Sequence, residues 1–392
     1  MATSELDSAI AREEEEKVLV EEEEEAGDLE PFFFDEAAAV AEAAAAAEKR
    51  RLREEQEATA KAEHARRWAA HQAVLDRISE RDPETGKMYY TRYHDQDLSE
   101  FDIDEVSPLP PMRFTARVYS PGEARLYILN MVNVLAIRIV PSDADDVPFP
   151  IAVYGSVIAR DDLDRKCIPL FARSRDDPQL IASKDDSLIL TGPHRGMVLI
   201  DTLYFEINLK LKGDQVGSAE EDKQISKTVW RMNGVFLETN FLSQNLFTAV
   251  RPMTIDSCRN LYPVQLMYAF VSNAVEATVS VKVLQGHFYG KITACTSMVK
   301  DNILLHDSSL MPGGGGVMAA DHGNDQFVRL LRPVTAVYLH ETLIVTILAQ
   351  VDGTKYNRRT MYFKPAVNGE GEAQITCGVN SLLVKVCWSL MN

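Results

Sequence analysis

The chain has 392 residues, of which 46% are hydrophobic, so it can bury at least one sizeable core. Its net charge of −18 comes from residues 1–110, which hold 31 acidic and 13 basic side chains, while the rest of the chain is balanced. Phosphate binding needs concentrated positive charge, so nucleic acid is not expected as the main partner.

The cysteines and the N-terminal segment restrict the class of protein further. The five cysteines are widely spaced and form no C-x-x-C pair, which argues against a disulfide framework or a zinc site; they are Cys167, Cys258, Cys295, Cys377 and Cys387. No signal sequence is visible, and no segment approaches the length of a membrane span. We expect a cytoplasmic or nuclear protein without a membrane partner.

Residues 1–34 are dominated by glutamate runs, which repel one another and bury little apolar surface. This composition predicts a disordered acidic tail. Phe32, Phe33 and Phe34 interrupt the acids and are candidates for docking on a hydrophobic groove of a protein partner. The alternatives are that they fold back on this chain or have no role.

Residues 35–80 consist mainly of Ala, Glu, Lys, Arg and Gln without Gly or Pro, which predicts a helix roughly 65 Å long. Asp35 suits the N-cap. Opposite charges four residues apart support a solvated surface, as in Arg50 with Glu54 and Arg53 with Glu57. No sustained heptad covers the alanine tract, so a coiled coil has little support beside a single long helix.

Only the last part of this helix has an apolar seam. Trp68, Leu75 and Ile78 are spaced by seven and three residues, and Val74 lies alongside. We expect this seam to dock on the body of the protein. His71 is predicted to be a hydrogen-bonded packing residue and not a ligand.

A connector, residues 81–111, leads to a change of period. In YFEINLKLK, residues 204–212, apolar and polar side chains alternate, which predicts a strand with one buried face and one face in water. Glu206 is on the face predicted to be in water. Further strands are predicted at residues 131–140, 151–159, 188–190, 197–204, 277–284, 291–296, 335–340, 342–351 and 381–390.

Many short strands separated by polar turns indicate a mainly β body at residues 112–392, an antiparallel β-sandwich or a distorted barrel. Segments 197–214 and 336–353 share an apolar strand, a polar step and a second alternating strand, which leaves open a body of two similar halves. The side chains predicted to face its interior are Phe205, Ile207, Leu209, Val281, Val283, Ile292, Val345, Ile347, Val384, Val386 and Trp388.

The sharpest candidate for chemistry is a calcium site at Asp161, Asp162 and Asp164, since loops of a β-sandwich can bring carboxylates together. The acids at 176–177 and 185–186 extend the set. However, the spacing is not that of an EF-hand, and Arg160 and Arg165 flank the acids. Solvated turns are therefore the preferred interpretation, with no bound metal and no cofactor.

Catalytic motifs are missing from the sequence. It contains no G-x-S-x-G, H-E-x-x-H or P-loop, and its histidines are scattered. Cys167, Cys295 and Cys387 lie in strand-like apolar segments, where a thiol acts as a small hydrophobe. We therefore assign no catalytic residue and favour a protein that is not an enzyme.

Several longer stretches carry a family resemblance, among them DPETGKMYYTRY, VYGSVIARDDLD, LILTGPHRG and EATVSVKVLQGHFYGKITACT. Together, over residues 82–392 and in the same order, they resemble the grass-enriched plant family termed domain of unknown function 6598. The resemblance implies a plant protein. Related domains are fused behind the toxin domain of cereal jasmonate-induced ribosome-inactivating proteins, which implies a connection with stress response and translation control.

The toxin domain of those fusions has its own motif, E-A-A-R on a core helix. The nearest match here is Glu123-Ala124-Arg125, one alanine short and after a Pro-Gly turn, so helical i, i+3 presentation of Glu and Arg is not expected. The leading hypothesis is a non-enzymatic β-rich binding or regulatory module with a protein partner. The alternatives are an rRNA N-glycosidase-related protein and a calcium-binding β-sandwich.

Overall fold

The computed structural model of the chain describes residues 35–82, 85–120, 122–140, 149–213, 222–244, 246–255, 262–311, 317–319, 326–352 and 355–391. The predicted acidic tail at residues 1–34, with Phe32, Phe33 and Phe34, lies outside the described residues. The chain divides into two compact units, Met1–Trp68 and Ala69–Asn392.

The first helix, α1, spans Glu36–Ile78. Asp35 caps it as predicted, since its Oδ1 accepts the backbone N–H groups of Ala37 at 3.0 Å and Ala38 at 3.1 Å. Two predicted ion pairs form along the helix, Arg50 with Glu54 at 3.8 Å and Arg53 with Glu57 at 3.0 Å. Within the described ranges, no helix combines the length and apolar character that a bilayer crossing requires.

The C-terminal turn of α1 packs as the apolar seam predicts. Ile78 is buried against Leu98 and Ile103, with Val74 and Leu75 partly buried beside them. A short antiparallel hairpin follows, formed by β1 (Ser79–Arg81) and β2 (Met88–Tyr90). This hairpin replaces the last predicted helical residues.

The predictions for His71 and for Trp68 have different outcomes. His71 Nδ1 accepts the backbone N–H of Leu98 at 3.0 Å, so the prediction of a satisfied packing histidine is confirmed. Trp68 is 60% exposed, and its docking on the body stays a prediction. The seam begins only after Trp68, because the described residues of α1 before Ala70 are exposed, apart from Ala39.

The described residues of the body form eighteen further strands and a second helix. In the first half they are β3 (Leu129–Ile139), β4 (Ile151–Arg160), β5 (Ile168–Arg173), β6 (Gln179–Ile181), β7 (Met197–Val198), β8 (Thr202–Leu211), β9 (Lys223–Asn233), α2 (Gly234–Ser243), β10 (Thr248–Ile255) and β11 (Val264–Gln285). In the second half they are β12 (Gly290–Thr296), β13 (Ile303–Asp307), β14 (Val317–Ala319), β15 (Gln326–Val328), β16 (Val334–Tyr338), β17 (Leu343–Asp352), β18 (Lys355–Phe363), β19 (Gly369–Cys377) and β20 (Asn380–Ser389). Short 3₁₀ helices occupy Glu123–Tyr127 and Ser308–Leu310.

Strand pairing shows that the body is built from two repeats. Residues 129–271 form the first repeat. One of its sheets has the strand order β5-β4-β8-β9, and the other has the order β7-β3-β11-β10, to which β11 contributes its first part. Residues 274–389 form the second repeat. Its sheets have the strand orders β13-β12-β17-β18 and β16-β11-β20-β19, and β11 contributes its last part to the second of these. Each of the eight strand positions in the first repeat has a counterpart in the second, which indicates a duplication. The similar segments 197–214 and 336–353 therefore belong to two similar halves of the body. All these pairings are antiparallel, and the described sheets do not close into a barrel.

Strand β11, with 22 residues, is shared between the repeats. Its residues 264–271 pair with β3 and β10, and its residues 274–285 pair with β16, β15 and β20. Asn273, with φ 45°, lies between these two parts. A continuous strand therefore joins the two sandwiches without a flexible linker.

Each repeat has its own core. Ile137, Val157 and Phe205 lie in the first, and Val281 and Val345 lie in the second, all fully buried. All eleven side chains predicted to face the interior are buried, as the alternation indicates. Of the predicted strands, residues 188–190 form none, and 197–204 divides into β7 and the start of β8 because the chain turns at residues 199–201.

Candidate functional site

Asp161, the first acid of the predicted calcium site, is fully buried in the loop between β4 and β5. Its two oxygens accept from the two Nη atoms of Arg195 at 2.5 and 2.9 Å, and Oδ2 also accepts the backbone N–H of Val198 at 3.0 Å. The expectation of a solvated turn is wrong for Asp161. Arg195 lies 34 residues further along the chain, so the sequence around Asp161 does not show this pairing.

Asp162 holds the turn between β7 and β8. Its Oδ2 accepts the backbone N–H groups of Ile200 and Asp201, each at 2.8 Å, and of Thr202 at 3.2 Å. Its Oδ1 pairs with Arg165. A carboxylate that accepts several amide N–H groups fixes a backbone turn, so Asp162 has a structural task.

Asp164, the third acid of the loop between β4 and β5, also contacts donors of this chain. Ser107 Oγ donates to Asp164 at 2.6 Å, Arg195 Nη2 donates at 3.3 Å, and the backbone N–H of Lys166 donates at 3.1 Å. All three acids thus contact donors of this chain. In the portion of the chain that the structure describes, no group of three or more His, Cys, Asp or Glu side chains is arranged to hold a metal ion. That calcium does not bind tightly here stays a prediction.

The other aspartates behave as the sequence indicates. Asp177 pairs with Arg173 at 2.6 Å. Asp186 Oδ2 accepts the backbone N–H groups of Ala182 at 3.0 Å and Ser183 at 2.9 Å. The acids at 176–177 and 185–186 are exposed, and those with visible partners stabilise local turns.

Residues 91–107, which we call the strap, cross the outer face of the β5-β4-β8-β9 sheet. The Glu206 carboxylate on β8 accepts from Arg160 Nε at 2.7 Å, Arg92 Nε at 2.8 Å and the backbone N–H of Tyr93 at 2.9 Å. Glu206 is only 5% exposed, so the prediction that it faces water is wrong. The alternation of polar and apolar residues in β8 predicts that its polar face contacts solvent, but the strap covers this face.

The strap is also tied to the loop that carries the aspartates. Arg160 Nη2 donates to the carbonyl oxygen of Ile103 at 2.5 Å. Val106 forms a parallel bridge with Cys167, and Lys166 pairs with Glu105 at 2.5 Å. The strap, the aspartate loop and the sheet are therefore joined by ion pairs and hydrogen bonds.

A cleft of about 390 Å³ remains between the strap and the sheet. Its walls combine apolar and polar side chains, among them Ile158, Phe171, Ser156, Asn208, Arg92, Asp104 and Lys227. The charged groups are paired, Arg92 with Glu206 and with Asp104 at 2.5 Å, and Lys227 with Glu80. The hydrogen bond from Arg92 holds the pKa of Asp104 below its usual value, so Asp104 is not suited to act as a general acid near neutral pH.

The described thiols are unsuited to nucleophilic chemistry. Burial raises the pKa of Cys167, Cys295, Cys377 and Cys387, and the thiolate is the reactive form. Cys258 lies outside the described residues.

His306 is held by structural contacts. It is fully buried, with Nδ1 2.7 Å from the carbonyl oxygen of Arg329 and Nε2 2.9 Å from Ser308 Oγ, and burial lowers its pKa. This imidazole therefore joins β13 to the segment before β16.

The lowered pKa of His306 predicts a pH dependence of stability. The unfolded chain takes up a proton near pH 6.5 while the folded chain resists it, so stability is full above about pH 6.5 and falls as the pH drops below it. We expect the loss of unfolding free energy between neutral and mildly acidic pH to become smaller in His306→Asn, measured by urea unfolding. The control is His287→Asn, at an exposed histidine. An equal loss in wild type and His306→Asn would contradict the assignment.

The toxin-like segment shows a short helical turn that the sequence does not predict. Glu123 and Arg125 lie in the 3₁₀ helix Glu123–Tyr127, two positions apart. Glu123 pairs with Arg117 at 2.9 Å and accepts the N–H of Ser120 at 2.8 Å. Because Glu123 and Arg125 are two positions apart, they do not form the i, i+3 pair of the toxin motif.

Sequence reasoning missed the cations that organise this region. Arg195 follows a Gly-Pro-His turn, and Arg92 lies in the connector, so neither belongs to a periodic pattern. The sequence signal for this region is the high number of charged residues at 160–165, between two predicted strands. Pairing them correctly requires the fold.

Comparison with known proteins gives a family and weak structural similarities. The solved structure "Extended-Synaptotagmin 2, SMP - C2A - C2B Domains" is 7% identical, with 70% of this chain and 61% of that chain covered at a TM-score of 0.22. The C2A and C2B domains of the same protein give 7% identity, 74% and 99% coverage and a TM-score of 0.23. Human GIVD cytosolic phospholipase A2 gives 10% identity, 67% and 32% coverage and a TM-score of 0.19. Scores this low do not establish a common fold.

No curated protein matches the sequence. Residues 131–386, more than half of the chain and nearly all of both repeats, match the model of a family described as a domain of unknown function. The chain therefore belongs to that family, DUF6598.

Proposed function

We propose that this chain is a non-enzymatic, β-rich binding module. The observation that carries the proposal is that the strongest candidates for chemistry serve the fold. Asp161 and Asp162 are held by arginines and backbone amides, and His306 is buried between a carbonyl and a hydroxyl. Acid–base or metal chemistry needs groups free to exchange protons or ligands.

The exposed surface of α1 supports a protein partner. Between residues 40 and 69 every side chain of the helix is exposed, including Val40 at 63%, Leu52 at 47% and Trp68 at 60%. Aromatic and aliphatic side chains of this kind act as anchors in protein interfaces. The acidic N-terminal region disfavours nucleic acid, and the proposed partner of α1 is a protein and not a membrane.

The resemblance adds the biological setting to this proposal. We infer a plant protein of the cytoplasm or nucleus that functions in stress response or translation control without the toxin domain of the related fusions. Helix α1 then brings the DUF6598 body to its partner. The acidic tail with Phe32, Phe33 and Phe34 provides a second docking segment.

Affinity capture from plant extract with the full chain tests the protein-partner proposal. We expect a defined protein to be retained by the wild type and lost with the double variant Leu52→Ala, Trp68→Ala, which removes two exposed anchors of α1. The matched control is Val379→Ala, which truncates a side chain 76% exposed on the body. The retained protein should then bind the purified chain directly.

Two results would oppose the proposal. Equal capture by wild type and the double variant would remove α1 as the docking segment. Release of adenine from purified ribosomes by the full chain would support an rRNA N-glycosidase in place of a binding module.

A further inference from the structure

A pocket of about 360 Å³ lies at the junction of the two repeats. The first repeat contributes β3, the segment 187–190 and Met267 of β11. The second repeat contributes the segment 301–304 and Arg332. A pocket of this size suits a small molecule, and junctions between packed units are common places for such sites.

Arg332 is buried in the wall of this pocket, at 4% exposure. Its Nη1 donates to the carbonyl oxygen of Val134 at 2.6 Å, its Nη2 to that of Leu135 at 3.3 Å, and its Nε to that of Leu304 at 3.4 Å. All three acceptors are neutral. Among the described residues, no carboxylate forms an ion pair with Arg332, and burial lowers its pKa to about 10.

The charge of Arg332 persists in spite of burial. A guanidinium with that pKa remains protonated at neutral pH, and it has five N–H donors, of which three contact carbonyls. A buried cation is ordinarily matched by an anion. Arg332 therefore leaves a positive charge and spare donors beside the pocket.

A second guanidinium lines the same pocket. Arg138 of β3 is half-buried, and its Nε donates to Ser187 Oγ at 3.3 Å. Asp301 and Asn302 are exposed and contribute one carboxylate and one amide. The lining thus has two cations and one anion, which favours a negatively charged ligand.

The remaining walls are apolar and consist of Leu135, Leu188, Leu190, Met267 and Leu304. We propose that this pocket binds a small amphipathic molecule through an oxyanion, a phosphate or carboxylate, held between Arg332 and Arg138, with its apolar part against these side chains. Guanidinium groups match both oxyanions through paired N–H donors. This proposal deepens the binding-module function by giving the ligand class, and it rests on that function.

Titration calorimetry and thermal unfolding of the full chain test the proposal, with inorganic phosphate and octanoate as soluble probes. We expect saturable binding and a raised melting temperature for wild type. Affinity should fall about tenfold or more in Arg138→Gln and in Arg332→Lys, which keeps a charge but loses the paired donors. Asp301→Asn should bind more tightly, because it removes the negative charge beside the oxyanion.

The control is Arg329→Gln, an exposed arginine close in sequence that does not line the pocket and should bind like wild type. Vesicles of phosphatidic acid, against phosphatidylcholine, distinguish a lipid headgroup from a free molecule. If Arg332→Lys does not fold, Arg138→Gln decides the question.

Binding of the soluble probes, or of phosphatidic acid vesicles, that depends on Arg138 supports the proposal. Wild-type affinity in Arg138→Gln, or no binding of any probe by wild type, would overturn it. A merely structural Arg332 would alter the melting temperature and leave the effect of phosphate unchanged. Loss of partner capture with phosphate binding intact would count only against the protein-partner proposal.

Discussion

Replacing Arg195 with methionine is expected to lower the free energy of unfolding by about 3–5 kcal/mol, since it leaves a buried carboxylate without its counter-ion. Asp161 is fully buried, and Arg195 is the cation that contacts both of its oxygens. Methionine fills much of the volume of the arginine side chain, so the loss of unfolding free energy comes mainly from the unpaired charge of Asp161. Urea unfolding of the full chain measures it.

The matched control is Arg173→Met, which breaks an arginine–aspartate pair at the surface, where Asp177 is 73% exposed. Such pairs contribute about 0–1 kcal/mol. Adding Asp161→Leu to Arg195→Met should recover part of the stability, because no charge is then left buried. If Arg195→Met were as mild as Arg173→Met, the buried ion pair would not have the importance assigned to it.

Glu206→Leu is expected to cost a similar amount, about 3–5 kcal/mol, and to release the strap from the sheet. The change leaves the buried guanidinium of Arg160 and the side chain of Arg92 without their common carboxylate. It also removes the acceptor of the Tyr93 N–H. Hydrogen exchange of the Tyr93 amide should therefore become faster, beyond any change at the core of β8.

Asn208→Leu is the control for Glu206→Leu, because it lies two residues on, on the same face of β8, and is exposed. It should change neither stability nor strap exchange to a comparable degree. Slow exchange at Tyr93 in Glu206→Leu would show that other contacts hold the strap.

The core and the long helix follow from sequence because each has a periodic pattern. Alternation places Phe205, Ile207 and Leu209 inside, and Asp35 before an uninterrupted run of helix formers marks the start of α1. Strands without such alternation were missed. Strand β9 is one example, since its sequence KQISKTVWRMN mixes polar and apolar residues and only Ile225, Ser226 and Met232 are buried.

The sequence pattern predicts one part of the duplication but not the shared strand. The similar segments at 197–214 and 336–353 fall at corresponding positions of the two repeats, which their sequence pattern suggests. The alternation predicts the shared strand β11 only at 277–284, because the first half of the strand contains an apolar run at residues 266–271 in place of alternating polar and apolar side chains. The duplication becomes visible only when the order of strand pairing is known.

The candidate site was predictable in composition and not in arrangement. The sequence shows that acids and arginines alternate near 160–165. It does not show that Asp161 pairs with Arg195, or that Glu206 gathers Arg92 and Arg160, since these contacts join residues 34 to 114 positions apart. Arg332 gives no sequence signal, because its position beside a pocket depends on the packing of the two repeats.

Thermal unfolding of the full chain in millimolar calcium and in chelator tests most directly whether the acids at 161, 162 and 164 serve the fold. A bound cation would stabilise the folded state by about 2.7 kcal/mol at a hundredfold excess over Kd, which for a chain of this size raises the melting temperature measurably. We predict the same melting temperature in both conditions, because each carboxylate already contacts donors of the chain. A calcium-dependent rise that disappears in Asp162→Asn would contradict this account.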